Sequence, residues 1–133
     1  MQRITDYYSL DGKAPRYTGP EELSVLGQWV DSDIQLSPYS VLQVLDLVRK
    51  AEQDVFAVTE EFGGNAHTTE ISPKGVSIEN DWVEHVRGTF TLDQALDVLL
   101  DFWEFCKVCL GEKSEQVHRE WVAEHGRDPL RAY

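Results

Sequence analysis

Cys106 and Cys109 stand at C-x-x-C spacing, which serves thiol redox chemistry or supplies half of a zinc site. Redox use needs the thiols at the start of a helix, where the helix dipole lowers a thiol pKa. Here they fall in the fourth turn of a predicted helix, on its apolar side, so the pattern predicts two buried, inert thiols. A zinc site would need two further ligands. His118 and His125 extend the run to C-x2-C-x8-H-x6-H, outside zinc-finger spacings, and read instead as surface histidines. His118-Arg119-Glu120-Trp121 also lacks the H-E-x-x-H order of a metalloprotease helix. No metal and no cofactor is expected.

Paired carboxylates are the other source of chemistry. Glu60-Glu61 and Glu79/Asp81 are close enough in sequence for general acid–base work, but nothing places a histidine or nucleophile beside them. Phosphate-cradling and nucleophile-elbow motifs are missing from the chain. Gly27-Gln28-Trp29-Val30 and Gly63-Gly64-Asn65-Ala66-His67 offer backbone for a small-molecule cleft, yet a bulge and a hairpin turn account for both. The chain is read as a non-enzyme.

Charge says more. Twelve of the 24 acidic residues lie between Ala51 and Cys106 against only Lys74 and Arg87, so this stretch carries about −10 of a total −12. Concentrated negative charge repels nucleic acid and anionic lipid and attracts basic proteins at long range. The expected partner is therefore a basic protein, with no nucleic acid and no membrane. The 133 residues fit one domain, and no signal peptide or long apolar run is seen, so the chain reads as cytoplasmic.

The elements that must carry this charge follow from periodicity. Ile4–Leu10 ends at Asp11-Gly12 and predicts a short strand; residues 11–22 read as loop. Leu23, Val25, Gly27 and Trp29 alternate as a second strand would. Ser37-Pro38 predicts a capped helix over about 38–53. Phe56, Val58 and Phe62 form another alternating run. Residues 67–71 and 76–82 flank Pro73-Lys74-Gly75 as a hairpin, with Val76, Ile78 and Trp82 on an apolar face and Ser77, Glu79 and Asp81 on the other. Thr91 and Gln94 spell a capping box for a helix whose broad apolar face includes Leu96, Leu99, Phe102, Trp103 and Cys106. A shorter amphipathic segment runs from Glu115 to Glu124. The expected architecture is α+β: an antiparallel sheet of about five strands with two to three helices on one face.

Asp93, Asp97, Asp101 and Glu104 share the narrow polar stripe of the capped helix, without a lysine or arginine among them. Like charges at i,i+4 cost roughly 0.2–0.5 kcal/mol per pair. A solvated face would look the same. With Glu79 and Asp81 on the sheet and Glu60 and Glu61 on a neighbouring strand, the reading favoured is a docking surface for a basic protein. Trp82, although its alternation places it on the core face, is included as a strand-end aromatic anchor.

Val25-Leu26-Gly27-Gln28-Trp29-Val30-Asp31, the helix after it and Val76-Ser77-Ile78-Glu79-Asn80 resemble the YacL-type family of small bacterial proteins and the immunity proteins of contact-dependent growth inhibition systems. The resemblance spans about residues 20–106 and includes no catalytic signature. It implies a non-enzymatic protein that binds and neutralises a cognate toxin domain, often a nuclease with a basic active site. The alternative it leaves is a YacL-like housekeeping domain with its own ligand or enzymatic role.

Overall fold

Helical spacing decides the first half of the chain. The computed structural model describes residues 2–54, 60–63 (backbone) and 66–133. A strand was expected from Leu23 to Trp29, but a single 3-10 turn there leads into helix α1 (Ser24–Trp29), which continues as a π-helical turn over Val30–Ile34. The reason is visible in the burial. Leu23, Leu26, Gly27, Trp29, Val30 and Ile34 are the positions hidden from water, and all but Trp29 recur at i, i+3, i+4, i+7 and i+11. That helical stripe overrides the weaker period-2 alternation of Leu23, Val25, Gly27 and Trp29.

Helix α2 (Pro38–Glu52) begins as its sequence predicts. Ser37 is the N-cap, its Oγ accepting from the Ser40 N–H at 3.3 Å, and Pro38 takes the first position, where a missing N–H is harmless. Its buried face holds Val41, Leu42, Val44, Leu45, Val48 and Ala51.

Seven strands form two antiparallel sheets among the described residues. The first has order β1 (Gln2–Arg3), β2 (Tyr8–Asp11) and β3 (Ala14–Tyr17). β3 lies within the stretch expected to be loop. Pro15 hid it, because proline lacks a ladder donor and is tolerated in a strand only at a sheet edge, which is where β3 sits. The second sheet has order β4 (Glu60–Gly63), β5 (His67–Ser72), β6 (Gly75–Asn80) and β7 (Arg87–Phe90). Two sheets of three and four strands thus replace the one sheet of about five. Of the run expected from Phe56 to Phe62, residues 55–59 lie outside the described residues.

Helix α3 (Leu92–Leu110) carries the capping box: Gln94 N–H donates to Thr91 Oγ1 at 3.0 Å, and Thr91 N–H donates to Gln94 Oε1 at 2.9 Å. Gly111, with φ near 56°, breaks it from α4 (Glu112–His125), longer at both ends than the amphipathic segment suggested. Helices α1, α2 and α3 pack on one face of the four-stranded sheet, α4 packs on α2 and α3, and the three-stranded sheet rests on α3 and α1. The core between them gathers Tyr8, Trp29, Leu45, Ile78, Phe102, Phe105 and Trp121, all buried.

Candidate functional site

Among the described residues, the second face of the four-stranded sheet carries no helix. Registry places Glu70 opposite Ser77, which faces Thr89, and Thr68 opposite Glu79, which faces Arg87. Val76, Ile78 and Ile71 point inward and are buried, while Glu70, Glu79, Arg87 and Thr89 are exposed. Alternation with one wet face produces this pattern. Arg87 forms no ion pair with Glu79 among the described residues, and Glu70 and Glu84 have no cationic partner there either. Glu61 lies opposite Glu70 in the backbone register and Glu60 opposite Ile71; their side chains lie outside the described residues.

The α3 stripe faces elsewhere. Asp97 and Asp101 meet the N-terminal sheet: Asp97 accepts from the Tyr7 hydroxyl at 2.5 Å, and Asp101 accepts from Thr5 Oγ1 at 2.6 Å and from the N–H groups of Asp6 and Tyr7 at 3.2 Å each. Glu104 pairs with Lys107 at 3.0 Å. Asp93 is exposed at the first turn, in a hollow with Glu52 and Lys74. Asp97, Asp101 and Glu104 line a cleft of about 430 Å³ with Asp6, Tyr7, Leu100, Trp103, Lys107 and Leu130, and no sheet residue reaches it. The helix carboxylates and those of the sheet are thus two separate patches, where one continuous surface was expected. The like-charge stripe persists because the N-terminal segment supplies donors in place of lysines. Burial raises Asp101 above the ordinary carboxylate range even against those donors. The bond to Asp97, aided by burial and the charges of Asp97 and Asp101, pushes the Tyr7 phenol up to about 12.

Trp82 is not on the core face. Strand β6 ends at Asn80, and Trp82 lies in the β6–β7 loop with 81% of its surface exposed; Val83 beside it is 40% exposed. Asn80 Oδ1 accepts from both the Trp82 and Val83 N–H groups at 2.9 Å, an Asx turn that halts the alternation. Asp81 is anchored too, its N–H donating to the Ala66 carbonyl at 2.7 Å and its carboxylate accepting from Thr68 Oγ1 at 2.7 Å.

Behind that turn lies a buried constellation that sequence inspection missed. The Asp33 side chain is fully buried and accepts from His67 Nδ1 at 3.0 Å and from the His67 N–H at 2.9 Å. Because the Asn80 oxygen is occupied by the loop, its Nδ2 is the group that meets His67 Nε2 at 3.3 Å. Nε2 therefore accepts, and the proton sits on Nδ1. An Asp–His pair of this kind orients a general base in hydrolases, but here the base nitrogen is spent on Asn80, so the pair holds structure. The only sequence sign was two polar residues, Asp33 and His67, flanking apolar runs.

The remaining candidates are structural as well. Cys106 is buried and Cys109 half-buried, and burial pushes the Cys106 thiol up to about 12, away from reactivity. His118 and His125 are partly buried rather than free on the surface: His118 Nε2 lies 2.8 Å from Asp128, and His125 stacks on Trp121 with ring centroids 3.8 Å apart. No group of three metal-ligating side chains occurs among the described residues. Gly27 belongs to α1 under the Tyr17 ring, not to a bulge, and Ala66 leads into β5, which His67 begins; Gly64 and Asn65 lie outside the described residues.

Asp31 has a measurable consequence. It accepts from the Tyr17 N–H at 2.9 Å, yet burial pushes its carboxyl up to about 6, against the lowering effect of that bond and of Arg16. A raised folded pKa means that stability falls as pH climbs from the ordinary carboxylate value near 4 through 6. Asp31→Asn should therefore stabilise the protein at pH 7 by about 1 kcal/mol, less than the full two-unit shift implies because the group is partly solvated, and by much less at pH 4. Urea denaturation at both pH values checks this; equal gains at the two would refute it.

Searches of protein-family models, curated proteins and solved structures find no significant match to the chain. No helix among the described residues is long and apolar enough to cross a membrane.

Proposed function

We propose that the protein is an immunity protein: a non-enzymatic binder that neutralises a basic toxin domain, such as a nuclease, in the cytoplasm of the cell that makes both. The observation that supports this reading is the acidic face of the four-stranded sheet, which none of the described helices covers. Glu70 and Glu79 lie on that face, and Asp81 and Glu84 are exposed in the loop at its end. A nuclease must hold phosphates and so presents a basic cleft, which such a face complements in charge. The chemistry available elsewhere favours binding over catalysis, since the Asp33–His67 pair is buried with its second ring nitrogen bound to Asn80, and the partly exposed His118–Asp128 pair ties α4 to the C-terminal tail.

Asp97 and Asp101 are poor residues for a test because they hold the N-terminal sheet. The cleaner variant reverses Glu70, Glu79 and Glu84 to lysine, all exposed and without a cationic partner among the described residues. Its affinity for the C-terminal domain of the protein encoded immediately upstream should drop by about tenfold or more, chiefly through slower association that is also less sensitive to salt. Surface plasmon resonance at two ionic strengths measures both. Unchanged rates would remove the sheet face from the mechanism.

A further inference from the structure

We infer that Trp82 and Val83 form the apolar anchor of this surface, inserted into a pocket of the basic partner, and that Asn80, His67 and Asp33 are the positioning residues that hold it ready. The inference rests on the reading of the protein as a binder of a basic domain.

Of the four tryptophans, Trp29, Trp103 and Trp121 are buried at 0–3% exposure, so the sequence had room in its core for indole and still left Trp82 in water. Scattered exposed apolar residues are ordinary, but an indole with a neighbouring valine on an ordered loop is not a frayed end. The loop is fixed from beneath. The Asx turn at Asn80 fixes the backbone of Trp82 and Val83, Asn80 is bound to His67, and His67 is bound to the fully buried Asp33 on the π-helical turn after α1. This chain of bonds transmits the rigidity of the core to the loop tip. A pre-ordered aromatic loses little conformational entropy on binding, which is what distinguishes anchors from incidental contacts.

Charge identifies the occupant. Asp81 and Glu84 flank the indole and Glu79 stands at the strand end beside it, all exposed, against Arg87 across the strand. An apolar tip within a negative rim fits an apolar pocket within a positive rim, and it disfavours a second copy of this chain, whose own loop would bring like charges together.

Trp82 also supplies the probe, because it is the tryptophan open to a neutral quencher. In the complex with the upstream-encoded C-terminal domain, acrylamide quenching of its fluorescence should fall; quenching unaltered by binding overturns the inference. Trp82→Ala should weaken binding at least about tenfold through faster dissociation, with the salt dependence of association retained. Asn80→Ala should weaken it by a smaller factor, and Asn80→Asp, which keeps the acceptor for the Trp82 and Val83 N–H groups but loses the donor to His67, should restore only part of the loss. Thermal melting of each variant separates loop effects from unfolding. If the wild-type chain binds tightly and Trp82→Ala binds equally well, the anchor is refuted while the acidic-face reading survives. If the wild-type chain does not bind that domain even at low salt, both fall, and concentration-dependent self-association lost in Trp82→Ala would assign the tip to a second copy.

Discussion

Replacing Gly27 with alanine is expected to destabilise the fold by about 2–3 kcal/mol, the upper part of the range for inserting a methyl group into a filled site. An alanine Cβ there would lie 2.1–2.5 Å from the Cδ1, Cγ and Cε1 atoms of Tyr17, and real Cβ contacts do not come so close. The clash reaches the root of the ring, so a small swing of the phenol does not relieve it. Tyr17 is also held at both ends: its N–H donates to Asp31 at 2.9 Å, and its hydroxyl donates to the Pro20 carbonyl at 2.7 Å. The same glycine presents its carbonyl to the buried Tyr8 hydroxyl at 2.9 Å, so displacing α1 disturbs a second ring that packs edge-on against Phe102. Chemical denaturation measures the loss. A change below about 0.5 kcal/mol, typical of surface substitutions, would show that Tyr17 yields freely and that the contact is not a constraint. Tyr17→Ala in the same background should recover part of it, because the obstacle is then gone.

Gly27 also shows what could and could not be read from sequence. The helices α2 and α3 were legible because cap, period and length agree: Ser37 before Pro38, Thr91 before Gln94, and apolar residues at three- and four-residue intervals. The hairpin of β5 and β6 was legible from alternation around Pro73-Lys74-Gly75. Helix α1 was not. Over seven residues, Leu23 to Trp29 satisfies both a period of two and a period near four, and only the positions beyond it, Val30 and Ile34, favour the helix. Strands β3 and β7 were too short to show a period, with a proline in one and a single buried residue, Phe90, in the other.

The candidate site divides along the same line. The outward exposure of Glu79 depends on local alternation and is seen in the structure, whereas Glu70 and Glu84, not among the candidates read from sequence, join it only through strand register and the β6–β7 loop. The role of a carboxylate with a distant partner cannot be read from local alternation. Asp97 and Asp101 looked unrelieved because their donors, Thr5, Asp6 and Tyr7, are some ninety residues away. Alternation, extended two residues too far past the Asn80 turn that ends it, puts Trp82 on the core face, whereas its reading as an exposed strand-end aromatic agrees with its 81% exposure.

Asp46→Asn is expected to produce the other large effect, a loss of about 2–3 kcal/mol at pH 7 centred on the C-terminal tail. Asp46, on the buried side of α2, accepts from Arg127 through Nε at 2.7 Å and Nη2 at 2.8 Å, from the Tyr133 hydroxyl, and from Lys50 at 3.3 Å. A forked guanidinium–carboxylate pair with further donors is the geometry in which ion pairing outweighs desolvation. Removing one partner of a fully buried pair costs about 3–5 kcal/mol; Arg127 is about one-third exposed and can rehydrate, which sets the lower figure. Burial alone would raise Asp46, but Arg127, Tyr133 and Lys50 prevail and hold its carboxyl below the ordinary value. A depressed folded pKa contributes stability that is complete above the unfolded value near 4 and lost as pH falls through the folded one. The wild-type and Asp46→Asn stabilities should therefore differ most at neutral pH and converge below about pH 4. Amide exchange should show where the loss is spent. Residues 126–133, strapped down by Arg127 and by the Arg49 Nε bond to the Pro129 carbonyl at 3.0 Å, should lose protection before the sheet does. A pH-independent difference, or loss of protection spread evenly over the chain, would show that this carboxylate is not the clamp that closes the C-terminus onto α2.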